Sequence, residues 1–115
     1  MANQVIPTAK FENQYKRLKK KFKTLDNTIY ELENQLIQNP YLGKRLNQNI
    51  FKIRISDPSK GKGKSGGFRV ITYIVEETSD LTSIFLLTIY DKSEQASASS
   101  SDITGWKRDV DSERK

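Results

Sequence analysis

The chain contains no cysteine and no histidine. The first absence excludes disulfides and thiolate-held metals. It suits a reducing compartment, and a cytoplasmic location is expected. The second removes the side chain that most often carries protons near neutral pH. Any catalysis must use lysine, arginine, tyrosine, carboxylates or the backbone. Long apolar runs are missing too. None approaches the roughly 18 residues of a membrane span. The opening stretch MANQVIPTAKFENQ has no run of signal-peptide length. The expectation is therefore a chain with no membrane partner, no metal and no cofactor.

Positive charge is abundant and unevenly spread. The net charge is +6; residues 1–75 hold 15 basic and 5 acidic side chains, and residues 76–115 hold 5 and 9. A basic body with a mildly acidic end points to nucleic acid as partner. A length of 115 residues and a hydrophobic content of 35% fit a single domain, residues 1–115, with one modest core.

Residues 3–9 can hold a short edge strand, a place that tolerates Pro7. Phe11, Tyr15, Leu18, Phe22, Leu25, Ile29, Leu32 and Leu36 then recur at alternating steps of four and three. That spacing is one apolar stripe on a helix. The polar group Thr24, Asp26 and Asn27 reads as a fresh helix start, with Thr24 as N-cap. The expectation is a helical hairpin, about 9–22 and 25–38, stopped by Asn39-Pro40 and Gly43. FKIRIS, FRVITYIVEE and LTSIFLLTIYD read as three strands of an antiparallel meander, because their connections suit hairpins. A short helix near 101–113 follows, with Trp106 and Val110 packing it back and 107–115 as a loose tail. The fold class is α+β: a helical hairpin on one face of a small twisted antiparallel sheet, plus a C-terminal helix.

Two basic groups carry the chemistry. KRLKKKFK, residues 16–23, sets Lys16, Lys19, Lys20 and Lys23 around Leu18 and Phe22. Its lysines form either a solvated helix face or a phosphate-binding ridge, and a face of one sign favours phosphate. The second group surrounds the linker SDPSKGKGKSGG. Strand alternation turns Phe51, Ile53 and Ile55 to the helices and Lys52 and Arg54 away from them. Arg69 shares that open face, Tyr90 and Lys92 stand where the third strand ends, and Lys60, Lys62 and Lys64 crowd the linker. Arginine offers fork-shaped donors to phosphate oxygens, and lysine a point charge. Charges also line any wet sheet face. The glycines make neither a P-loop nor a dinucleotide fingerprint, since no helix follows them.

KSGGFRVI followed by LTIYDKSEQ, with the basic hairpin ending in NPYLGKRL and the strand FKIRI, resembles the RelE/ParE superfamily of bacterial type II toxins. The likeness is strongest to its RelE/HigB-like branch and spans about residues 9–105. It implies a toxin that is a ribosome-dependent endoribonuclease, cutting messenger RNA by attack of a 2′-hydroxyl on the phosphodiester. It implies two kinds of partner: mRNA with the ribosome and its rRNA, and a cognate antitoxin protein that silences the toxin. Matched residue by residue, FKIRI gives Lys52 and Arg54 as the basic pair and GGFRV gives Arg69. YDKSEQ puts Lys92 near the position of an arginine that serves some members as general acid. The C-terminal catalytic tyrosine has no counterpart, because residues 96–101 read ASASSS; Tyr90 is the available substitute. Three alternatives stay open: a ParE-like inhibitor of DNA gyrase, a non-catalytic RNA- or ribosome-binding module, and a toxin inactivated by drift.

Overall fold

A computed structural model describes residues 2–60, 67–95 and 97–114 of the chain. The elements run β1 (Ala2–Pro7), α1 (Ala9–Lys21), α2 (Leu25–Gln38), β2 (Lys44–Asn47), β3 (Ile50–Ile55), β4 (Phe68–Glu76), β5 (Leu81–Asp91) and α3 (Ser100–Glu113). A 3-10 turn, Pro58–Lys60, follows β3. The five strands form one sheet in the order β1-β5-β4-β3-β2. No helix among the described residues is long and apolar enough to cross a membrane.

The expected hairpin is present, and its break falls where the polar group stands. Phe11, Leu18, Phe22, Leu25, Ile29, Leu32 and Leu36 are all buried in one core with Ile53, Ile55, Phe68, Val70, Ile84, Leu86 and Ile89 of the sheet. Thr8 opens α1: its hydroxyl accepts the Phe11 N–H at 3.2 Å and donates to the Leu86 carbonyl at 2.8 Å. One side chain thus caps the helix and pins it to β5. Thr24 does not cap α2 as expected. Its hydroxyl donates instead to Asp57 at 2.6 Å. The Thr24 backbone, at φ −88° and ψ 0°, lacks the extended conformation of an N-cap, and α2 begins without a side-chain cap.

β3, β4 and β5 form the expected antiparallel meander. The sheet as a whole is mixed rather than antiparallel, because β1 pairs with β5 in parallel, Ala2 opposite Leu81 through Pro7 opposite Leu86. The helical hairpin and the meander together supply the long return that a parallel pair needs. β2 was not foreseen: all four of its side chains are exposed, so it carries no apolar alternation. It follows Gly43, whose φ of 99° is the left-handed conformation glycine adopts freely.

The second face of the sheet carries its own core of Ile50, Ile71, Tyr73, Phe85, Leu87 and Tyr90, closed by Val110, Ile103 and Trp106 of α3. The segment expected as a loose tail is the second half of that helix. Tyr73 donates to Asp111 at 2.8 Å, and Arg114 forms a two-pronged ion pair with Glu77. That pair, with the Ser83 hydroxyl, holds the Glu77 carboxyl down at about 2.

Candidate nucleic-acid interface

Sheet register builds the site in rows. On the α3 side of the sheet, Arg54 of β3 lies opposite Arg69 of β4, and Arg69 opposite Tyr90 of β5. In the next row Lys44 of β2 lies opposite Lys52, and Lys52 opposite Ile71. Lys92 follows the end of β5, its N–H bonded to the Gly67 carbonyl at 3.0 Å. Residues directly opposite on a sheet have Cβ atoms about 5 Å apart, and like charges so placed destabilise it. This face holds two such pairs, Arg54 with Arg69 and Lys44 with Lys52.

A register shift sets this arrangement. Ile71 pairs with Thr88 while Thr72 pairs with Leu86, so Leu87 is one residue more than the partner strand has. Simple alternation puts Ile84, Leu86, Thr88 and Tyr90 on one face. The bulge breaks it: Ile84, Leu86 and Ile89 join the hairpin core, while Phe85, Leu87 and Tyr90 join the α3 side. Tyr90 thereby stands beside Arg69, and Asp91 falls opposite Phe68 of the hairpin core. Bulges next to functional sites re-aim side chains in this way.

The electrostatics follow. Burial, then Lys44, Arg54, Arg69 and Lys92, all push the Lys52 ammonium below its ordinary value of 10.5. Both desolvation and neighbouring cations disfavour the charged amine. Arg69 is 3% exposed and donates to the Phe68 carbonyl at 3.2 Å; burial and then Arg54 lower it, with Tyr90 acting the other way. Arg54 is exposed and Lys52 half-buried. Tyr90 is 4% exposed, and its phenol is raised chiefly by burial, opposed by Arg69 and by the Ala98 N–H.

The remaining basic residues are spread elsewhere. Lys16, Lys19 and Lys20 are exposed on α1, and Lys23 on the hairpin turn, in the layer on the opposite side of the sheet from Lys52. Lys19 lies over the Tyr15 ring at 5.3 Å. Lys60 ends the 3-10 turn after β3, while Lys62 and Lys64 lie outside the described residues. One buried anchor beside the linker escaped the sequence reading. Asp57, 2% exposed, accepts hydroxyl hydrogen bonds from Thr24, Thr28 and Ser59, and the Ser59 N–H at 3.1 Å. Burial alone would raise this carboxyl; the four donors outweigh it and hold it low. It ties the start of the lysine linker to the hairpin. Its partner Thr24 stands 33 residues away, so no local pattern reveals it. No cluster of metal-ligating side chains exists among the described residues.

No family model matches the sequence. A solved structure does match the fold: the toxin RelE of E. coli, as a double arginine-to-alanine mutant in the free state. The superposition covers 84% of this chain and 90% of that one, at a TM-score of 0.58 and 12% sequence identity. The fold is therefore RelE-like and α+β, as the sequence led one to expect.

Proposed function

We propose that this chain is the toxin of a type II toxin–antitoxin pair, and that it cuts messenger RNA on the ribosome, in the cytoplasm. The observation that supports this best is the cation row pair: Arg54 facing Arg69 and Lys44 facing Lys52, with Lys92 near enough to act on Lys52. A structural surface mixes signs. One that sets like charges opposite each other is arranged for an anion, and a phosphodiester is the anion that such rows fit.

Cleavage by the adjacent 2′-hydroxyl divides among these side chains. The neutral amine of Lys52 takes the 2′-hydroxyl proton. The 2′-oxygen attacks phosphorus, Arg54 meets the charge that builds on the non-bridging oxygens, and Arg69 adds its field from beneath, where screening is weak. The bond to the 5′-oxygen breaks and Lys92 protonates that oxygen, leaving a 2′,3′-cyclic phosphate and a 5′-hydroxyl. Lys92 rather than Tyr90 is the donor in this scheme, because the phenol is enclosed. With no histidine the chemistry is intrinsically slow. Holding the RNA in line for attack can supply roughly 7–11 kcal/mol, which is the reason for assigning the ribosome as co-substrate. The inhibitory partner is an antitoxin with an acidic segment, complementary to the basic face.

The test is a cleavage assay on messenger RNA, with and without programmed ribosomes, using wild type, Arg54→Ala and Arg69→Ala. Cuts that require ribosomes and disappear in both variants are expected. Equal cutting of naked RNA would refute the ribosome's role. No cuts from the folded wild type, together with inhibition of gyrase supercoiling, would move the reading to a ParE-like inhibitor.

A further inference from the structure

The sheet has two edges, β1 and β2, and they are built differently. A free edge offers a row of backbone donors and acceptors to another chain, and proteins guard it with charge, proline or a bulge. β2 is guarded. Lys44 and Arg45 are exposed on it, and its register shifts between Arg45 and Asn47. β1 carries no charge, and its register with β5 is unbroken from Ala2 to Pro7. Its one guard, Pro7, stands at its last position. The N–H groups of Ala2 and Thr8 point toward β5, bonding the Asp80 and Leu86 carbonyls at 2.6 and 3.1 Å. Alternate residues of a strand turn their backbone groups to opposite sides. Asn3 and Val5 therefore turn theirs outward, where no further strand lies among the described residues.

The surroundings of this edge are unlike the rest of the molecule. Charged residues make up 30% of the chain, yet residues 2–9 and 34–43 contain none. The two stretches meet: the Asn3 side-chain amide donates to the Ile37 carbonyl at 2.7 Å, and Ile37 is 46% exposed. Depletion of charge around an exposed apolar side chain is the composition of an interface core. RNA or an acidic segment finds no cation in either stretch. A second copy, with a net charge of +6, meets no like charge there.

We infer that β1 is a self-association edge, at which two copies pair β1 with β1, antiparallel, about a two-fold axis. The inference is independent of the RNA reading. The contact uses the same patch of both copies, as a two-fold requires. Pro7 selects the register. With Asn3 of each copy opposite Val5 of the other, every outward N–H of Asn3 and Val5 meets a carbonyl, and every such carbonyl an N–H. With Val5 opposite Val5, the Asn3 carbonyl would face Pro7, which has no N–H to give. The favoured register sets Gln4 of each copy opposite Gln4 of the other, with Cβ atoms about 5 Å apart.

Sedimentation velocity of the full chain over a wide concentration range tests this, together with amide hydrogen exchange. A reversible monomer–dimer equilibrium is expected, and exchange at Asn3 and Val5 should slow as the dimer forms. Gln4→Lys and Gln4→Glu alter an exposed position. Each should weaken the dimer about fivefold, because like charges then lie directly opposite. Mixed in equal amounts, the two variants should associate more tightly than either does alone, since opposite charges then face each other across the axis. A folded wild type that stays monomeric at every concentration overturns the inference. So does a dimer that both Gln4 variants leave intact, or one that each weakens and the mixture fails to restore.

Discussion

Replacing Gly67 by alanine probes how tightly the end of the cation face is built. Gly67 precedes β4 and is buried. A Cβ there would sit far inside van der Waals distance of the Ile55 carbonyl oxygen, and 3.1 Å from both the Ile55 carbonyl carbon and the Ser56 Cα. All three atoms are backbone, so no side chain can swing aside. Relief requires β3 and β4 to part. Forcing extra volume into packed structure costs about 1–3 kcal/mol. For a domain of this size that is a fall in Tm of roughly 4–12 °C. The Gly67 carbonyl also holds the Lys92 N–H, so the same movement displaces Lys92 from the row it completes. Gly105→Ala is the matched control. Its Cβ meets nothing within 4 Å, and Gly105 lies inside α3. Alanine should there stabilise the helix by about 0.5–1 kcal/mol. Thermal and urea unfolding of the two variants beside wild type give the answer. A Gly67→Ala protein as stable as wild type would refute the close approach of β3 and β4 at this point. A destabilised Gly105→Ala would refute the open surface of α3.

Asp57→Asn removes the charge from a carboxylate with four donors and should lower stability by about 2 kcal/mol in urea unfolding. Because the folded carboxyl lies below its ordinary 3.8, its contribution is present above that value and lost as pH falls through the folded one; wild type should lose more stability than the variant on acidification below about pH 4. If Lys52 is the base, its lowered pKa makes the cleavage rate climb with pH until the amine is neutral. Lys44→Gln, which removes one cation acting on Lys52, should shift that rise to higher pH, and a flat profile in wild type would exclude the role. Changing Lys16, Lys19, Lys20 and Lys23 together to glutamine should lower ribosome affinity and flatten its salt dependence, by up to about 0.7 in log–log slope per lost contact. Cleavage at saturating ribosome should persist, since these residues lie in the layer across the sheet from Lys52; its loss would place them in the site.

The parts legible in the sequence are those with a local signal. The four-and-three spacing from Phe11 to Leu36 marks the hairpin, and Thr24 to Asn27 marks its break. Alternation in FKIRI fixes the faces of β3, and the register carries Arg69 onto the side of Lys52 and Arg54. What escaped has no local signal. The bulge at Leu87 sits in SIFLLTIY, where residues on both faces are buried, so a change of parity leaves no polar residue out of place. β2 is exposed throughout and has no pattern to read. The parallel pairing of β1 depends on where β5 ends up, and the diversion of Thr24 to Asp57 depends on a residue 33 positions on. The last helix showed itself through Trp106 and Val110, but its anchorage by Asp111 and Arg114 needs Tyr73 and Glu77 from β4 and the turn after it.

Two accounts of the α3-side cations remain distinguishable by experiment, a solvated sheet face and an RNA site. Arg54→Glu separates them. It replaces a like-charge cross-strand pair, Arg54 with Arg69, by an opposite-charge one, on an exposed position where folding is not at risk. Cross-strand pairs of opposite charge contribute about 0.2–1 kcal/mol, and like pairs act against the sheet by similar amounts. The variant should therefore be more stable than wild type by about 1 kcal/mol in low salt, with the gain fading as salt rises. If the face is only solvated, nothing else changes. If it binds RNA, the new carboxylate repels the phosphate and also lifts Lys52 back toward its ordinary pKa, so cleavage and ribose 5-phosphate binding are both lost from a stabilised protein. Gain of stability with full activity would leave the cations as surface charge and end the case for the site.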